Sequence, residues 1–206
     1  MIERRLQLVV LLSGTGRTMV NVQECIAAGR LNARIRLVIS SRREAKGVAL
    51  AKGLGLATKV IDRGLLSEAQ FQRELTAAVV GAEPDLVCMA GFLRLWEMPA
   101  EFRGRVINIH PALLPEFGGK GLYGRYVHEA VLRAGKAVSG CTVHFCDNEY
   151  DHGPVILQRT VAVMADDTPE TLAARVFEQE CVAYPEAIRL FSEGRITLDG
   201  QRVHIN

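Results

Sequence analysis

In "VINIHPALLP", residues 106–115, Asn108 and His110 stand two positions apart inside an apolar run that Pro111 ends. Alternate residues of a strand share a face, so the amide and the imidazole project side by side, with Val106, Ile107 and Ile109 around them. Pro111 lacks the N–H that further ladder pairing needs. An amide donor beside an imidazole suits acid–base or oxyanion chemistry, although the same pair also serves as ordinary end-of-strand residues. Asp151 sits in the turn-rich link "NEYDHG" just before another strand. Turn aspartates are usually local structure, because their side chains bond nearby backbone amides.

A second candidate is "LLSGTGRT", residues 11–18, which reads as a strand, a glycine turn and a helix start. Gly14 and Gly16 let backbone approach a ligand, and the first N–H groups of the next helix attract anions. With Thr15 between them and Arg17 and Thr18 following, the turn matches a phosphate monoester. Met19 stands where the dinucleotide fingerprint needs a third glycine, and the P-loop lysine is missing. An unoccupied tight turn is the competing reading. His144, inside "TVHFC", reads as a satisfied core histidine, and His128 and Glu129 read as a solvated helix face. Glu180 is mid-helix among Val176, Phe177 and Val182. A carboxylate there is either on the wet face or waiting for a cationic partner.

These residues need a framework, and the totals allow one. The chain has 206 residues, 49% hydrophobic and 23% charged, which suits one soluble globular domain rather than disorder or a membrane span. A net charge of +2 is too small to argue for nucleic acid, so an anionic ligand must be caught locally. The basic stretches "MIERRLQ" and "SSRREAK" read as solvated surface. Cysteines 25, 88, 141, 146 and 181 form no C-x-x-C pair, and none has zinc-site spacing with a histidine, so no metal is expected. Glu3, Arg4 and Arg5 ahead of a short strand are unlike a signal peptide, which implies reduced thiols and a cytoplasmic location.

The first half alternates strand and helix. "LQLVVLLS" (6–13) and "PDLVCMAG" (84–91) are continuous apolar runs, the mark of strands buried on both faces. Between them lie a helix ending at Gly29, the strand "ARIRLVIS" (33–40), a helix "EAKGVALAKGLG" and a short strand "TKVID". A further helix opens with Ser67 and Gln70 in capping-box spacing. A short helix is expected near Trp96. Such alternation means a parallel sheet flanked by helices. In the second half, "SGCTVHFCD" (139–147) and "PVILQRTVAV" (154–163) form a hairpin-like antiparallel extension. A long helix follows, capped by Thr168 with Pro169 at its first position and Glu170 in its first turn, running to about Phe191 past Pro185. The tail turns at Asp199-Gly200.

Together, "NIHPALLP", "DHGPVILQ", the "SGTG" turn and "AGFLRL" resemble the folate-dependent formyltransferases, over nearly the whole chain from Val9 to about Leu190. The resemblance implies a Rossmann-like α/β fold in a single catalytic domain. Residues 1–105 would be its phosphate-binding βα half and residues 106–206 its catalytic and folate-binding half. It implies 10-formyltetrahydrofolate as co-substrate and a small phosphorylated amine as acceptor, with no metal, nucleic acid or membrane, in a monomer or homodimer. Asn108 and His110 would carry the oxyanion, and Asp151 would orient His110 and help move protons. Leu93, Arg94, Leu95 and Trp96 would line the folate site together with Asn108. Gly14, Thr15, Gly16, Arg17 and Thr18 would hold the acceptor's phosphate, and Glu180 its amine. The chain lacks room for the C-terminal barrel of methionyl-tRNA formyltransferase or the regulatory domain of formyltetrahydrofolate hydrolase. That length resembles the members formylating glycinamide ribonucleotide in purine synthesis. An acceptor that is another amino sugar or sugar phosphate, or a non-catalytic folate- or nucleotide-binding role, remains the alternative. The departures are Arg17-Thr18 where the family commonly has Ser-Asn, Glu68 where some members have arginine, His152 for a frequent glycine, and a longer "GGKGLYGRY" loop.

Overall fold

Leu8 through Leu12 are each at most 1% exposed, so both faces of the first strand are covered. The computed structural model describes residues 4–206; Glu3, used in the N-terminal reading above, lies outside the described residues. Residues up to 107 form one compact unit and residues 108–206 a second. The main sheet has seven strands in the order β3-β2-β1-β4-β5-β6-β7. Among the described residues, no helix is long and apolar enough to cross a membrane.

The first unit follows the alternation expected. Its elements are β1 (Leu6–Leu12), α1 (Arg17–Ala27), β2 (Ala33–Ser40), α2 (Lys46–Gly53), β3 (Thr58–Val60), α3 (Glu68–Gly81) and β4 (Leu86–Met89). β1 pairs in parallel with β2 and β4, and β2 pairs in parallel with β3. Ser67 caps α3 in a reciprocal capping box with Gln70, a feature typically worth about 1 kcal/mol. Gly16 begins α1 at φ +77°, and a Cβ there would lie 2.6 Å from the Gly47 Cα. The starts of α1 and α2 therefore touch backbone to backbone, with Gly47 N–H donating to Gly14 O at 3.1 Å.

The short helix expected near Trp96 forms later, as a 3₁₀ turn at Ala100–Phe102. Pro99 explains the displacement, because the residue before a proline is pushed out of helical geometry. Trp96 instead lies in an irregular segment, 1% exposed, its indole N–H bonded to Thr76 Oγ1 at 2.9 Å and its ring against Phe102.

β5 (Val106–His110) leads into the second unit, which continues with α4 (Arg125–Arg133), β6 (Val138–Phe145), β7 (Val155–Ala162), α5 (Pro169–Ser192), β8 (Ile196–Asp199) and β9 (Arg202–Ile205). β6 and β7 are antiparallel, as are β8 and β9. The β6–β7 register slips between Val143 and His144, leaving Ile156 of β7 as the extra residue. Thr168 caps α5 reciprocally with Thr171. The paired bonds from Arg175 to Asp167, at 2.7 and 2.8 Å, fasten the helix start, while Arg175 also reaches Ala162 O at the end of β7.

His128 departs from expectation. It is 4% exposed and shares the inner face of α4 with Val127 and Val131. Glu129 is half-buried and paired with Arg125 at 2.6 Å. The i, i+3 spacing of His128 and Val131 carries the imidazole inward, and its Nδ1 has no hydrogen-bond partner. Burial, helped by the nearby His110, pushes its pKa down to about 4 from 6.5. The unfolded chain therefore takes up a proton at His128 before the folded chain does. This contribution to stability is complete above pH 6.5 and is lost as pH falls toward 4, a change of about 3 kcal/mol. Urea unfolding of wild type and His128→Phe at both ends of that window should show the variant losing less stability on acidification. Equal losses would place His128 outside the acid response.

Candidate active site

Asp151 gathers the site. It lies in the β6–β7 link in a left-handed conformation, φ +53°, which an aspartate tolerates better than most residues. One carboxylate oxygen, Oδ2, accepts the Gly119 N–H at 3.0 Å and lies 3.5 Å from His110 Nδ1. The other, Oδ1, accepts from Asn108 Nδ2 at 3.3 Å. Asn108 and His110 come from the end of β5, two residues apart on one face, and both turn toward this carboxylate. His110 is 3% exposed. Its second nitrogen, Nε2, donates to Phe117 O at 2.8 Å.

The loop after Pro111 closes the arrangement. A Cβ on Gly118 would come within 2.5 Å of the Leu114 side chain and 3.2 Å of the Asp151 Cβ, so a side chain there would displace Leu114 and crowd Asp151. Phe117 is held at φ +56°, a costly conformation for a bulky residue, and that geometry delivers its carbonyl to His110. Burial works to protonate Asp151. His110 and the Gly119 N–H outweigh it and hold the carboxyl below the ordinary range. The site therefore contains a buried, ionised carboxylate beside an imidazole and an amide, a combination that can orient a histidine, stabilise charge and relay a proton.

His144 joins the cluster although its position in "TVHFC" reads as core. Its Nε2 lies 3.1 Å from Asn108 Nδ2, and its Nδ1 lies 2.8 Å from Phe145 O. It shares a strand face with Thr142, and the distant partner on β5 that claims its ring leaves no mark in apolar alternation. Thr142, two residues earlier, donates to Ala112 O at 2.7 Å and accepts from Leu114 N–H at 3.0 Å. It thereby pins the chain immediately after His110. Glu180 is half-buried on α5, and its charge adds to the burial that pushes the Cys141 thiol up to about 12. Among the described residues, no three His, Cys, Asp or Glu side chains are grouped to hold a metal.

In the first unit, Gly14, Thr15 and Arg17 are exposed, Thr18 is half-buried and Gly16 is buried. The position of a Cβ on Gly14 meets nothing within 4 Å, so nothing in the chain itself demands glycine there. Ser13, just before the turn, shares a 2.6 Å bond with Ser41, accepts the Leu93 N–H at 2.9 Å and donates its own N–H to Gly91 O. The turn and the 93–96 segment are thus fastened to each other within this unit. Leu93 and Leu95 are half-buried and Arg94 is exposed. Gln72, unremarked in the sequence, clasps the segment from α3 by donating to Leu95 O and accepting from Glu97 N–H, each at 2.9 Å. A polar residue on the inner face of a predicted helix was the available signal.

The family described as "Formyl transferase" matches residues 6–188. The chain is 39% identical to "Phosphoribosylglycinamide formyltransferase, chloroplastic" of Arabidopsis thaliana, over 94% of this chain and 68% of that protein. It is 35% identical to "Phosphoribosylglycinamide formyltransferase" of Escherichia coli K12, over 96% of each. Its fold superimposes on the crystal structure of glycinamide ribonucleotide transformylase 1 from Symbiobacterium toebii with a TM-score of 0.91 and 38% identity, covering 98% of this chain and 94% of that one. With a family match across most of its length and relatives of this similarity, the chain belongs to the formyl transferase family.

Proposed function

We propose that this enzyme transfers the formyl group of 10-formyltetrahydrofolate to the amine of glycinamide ribonucleotide, in purine synthesis. The observation that carries the reading is the meeting of Asn108, His110 and one buried ionised carboxylate, Asp151, in a chain of this family. The amine nitrogen attacks the formyl carbon, and the carbonyl electron pair moves to oxygen. The resulting tetrahedral oxyanion takes hydrogen bonds from Asn108 and from His110, whose Nε2 exchanges the Phe117 carbonyl for it. The carbon–N10 bond then breaks, N10 keeps the electron pair, and the proton lost by the amine is delivered to N10. Asp151, held ionised, orients His110 and lowers the cost of charge on its ring. A donor aimed at the oxyanion contributes about 3 kcal/mol, and acid–base help adds roughly 10²–10⁴ in rate.

Leu93, Arg94 and Leu95 read the folate through backbone groups and apolar side chains, with Trp96 packed behind them. The acceptor's phosphate meets the turn at Gly14–Thr18, where the uncovered Gly14 and the open start of α1 suit an anion. Glu180 contacts the acceptor's amine.

The deciding experiment supplies 10-formyltetrahydrofolate and a panel of phosphorylated amines. Glycinamide ribonucleotide should be formylated with the highest kcat/KM. Preference for another amine would replace the acceptor, and folate binding without transfer to any amine would reduce the chain to a binding protein. Asn108→Ala, His110→Ala and Asp151→Asn should each lower kcat by at least ~10²-fold, with far smaller changes in folate-analogue affinity. Near-normal kcat in the His110 variant would remove the mechanism. Arg17→Ala should raise the acceptor KM by roughly 10- to 150-fold and spare the folate KM. If it weakens phosphorylated and dephosphorylated acceptors alike, Arg17 does not grip phosphate.

A further inference from the structure

The Asn108 amide is held from a strand that the catalytic motifs do not include. We propose that His144 is a positioning residue for formyl transfer. Its neutral ring, carrying hydrogen on Nδ1, fixes one Asn108 amide hydrogen so that the other is presented to the developing oxyanion. This rests on the formyl-transfer reading above.

The donors and acceptors leave one consistent arrangement. His144 Nδ1 lies 2.8 Å from the Phe145 carbonyl oxygen, which only accepts, so Nδ1 bears a hydrogen. The neutral ring then offers a lone pair at Nε2, 3.1 Å from Asn108 Nδ2. The same amide nitrogen lies 3.3 Å from Asp151 Oδ1. Turned over, the amide would set its oxygen against an imidazole lone pair and a carboxylate oxygen at once. Protonating Nε2 does not rescue that orientation. The amide oxygen would still abut the carboxylate, and the ring lies 3.7 Å from Asp151 Oδ1, too far for a hydrogen bond. The amide nitrogen therefore faces both acceptors.

His144 is 2% exposed, so water cannot substitute for its lone pair. The 3.1 Å bond is the anchor, and the longer contact with Asp151 is the one a developing oxyanion replaces. Phe145 O, through His144, thus sets which end of Asn108 the substrate meets. The hydrogen bond made by one ring nitrogen fixes the tautomer at the other.

The test is a double-mutant cycle in the formyl-transfer assay, with a spectroscopic check. His144→Phe keeps the ring's bulk and removes the acceptor. It should lower kcat by roughly 10- to 100-fold with little change in either KM. The same replacement in the Asn108→Ala background should change kcat by no more than about 3-fold, because the group it positions is gone. His144→Gln, whose side-chain oxygen reaches the Nε2 position, should restore kcat to within about 5-fold of wild type. Equal factors in both backgrounds, or no recovery with glutamine, would make His144 merely structural and overturn the proposal. Nitrogen-15 spectra of the full chain should show His144 protonated at Nδ1 and bare at Nε2. The opposite tautomer would overturn the proposal even if His144→Phe fails to fold. Absence of formyl transfer in wild type would instead sink the underlying reading, a result separate from any of these.

Discussion

A buried carboxylate that stays ionised must be surrounded by donors, and the second unit is arranged around meeting that demand for Asp151. Taking a carboxylate out of water costs several kcal/mol unless hydrogen bonds replace its hydration. Here the replacements are the Gly119 N–H, the Asn108 amide and the neighbouring His110 ring. Two come from the end of β5 and one from the loop that follows it. Meeting them forces a glycine pair into the loop, a left-handed backbone at Asp151, and Asn108 and His110 onto the last residues of β5. The residues proposed for chemistry are therefore also those that make the buried charge tolerable.

Orientation is supplied from behind. Thr142 bonds Ala112 O and Leu114 N–H, and Gln158 reaches both Leu114 O and the Thr142 hydroxyl. Three of these bonds fasten the segment beyond Pro111 to β6 and β7, and the fourth ties the two strands to each other. Transition-state stabilisation depends on donors that do not reorganise during reaction, and a network without spare partners supplies that rigidity. The first unit shows the same economy: Ser13 and Gln72 hold the glycine turn and the 93–96 segment with almost every polar atom engaged.

The two proposed regions rest on different kinds of contact. The carboxylate cluster is made of side chains bonded to one another, so replacing any member disturbs the others. The glycine turn is backbone, shaped by the approach of Gly16 to Gly47, and the exposed residues Thr15 and Arg17 stand outside that approach.

Local rules written in the sequence determined much of this protein. Continuous apolar runs marked β1 and β4, a capping box at Ser67 and an N-cap at Thr168 marked two helix starts, and strand alternation put Asn108 and His110 on one face. Those signals act within a few residues, and they survived folding unchanged. What only tertiary structure decided involves partners far apart in the chain. Asp151 meets Asn108 across 43 positions, and no turn propensity could raise it above a local aspartate. His144 reads as core until β5 brings Asn108 to its ring, and His128 reads as solvated among Arg125 and Glu129 until packing of α4 turns it inward. Trp96 reads as the site of a helix until Pro99 displaces that turn. Periodicity reports which side of an element faces inward, whereas a buried polar group is decided by whether a distant donor or acceptor arrives to meet it.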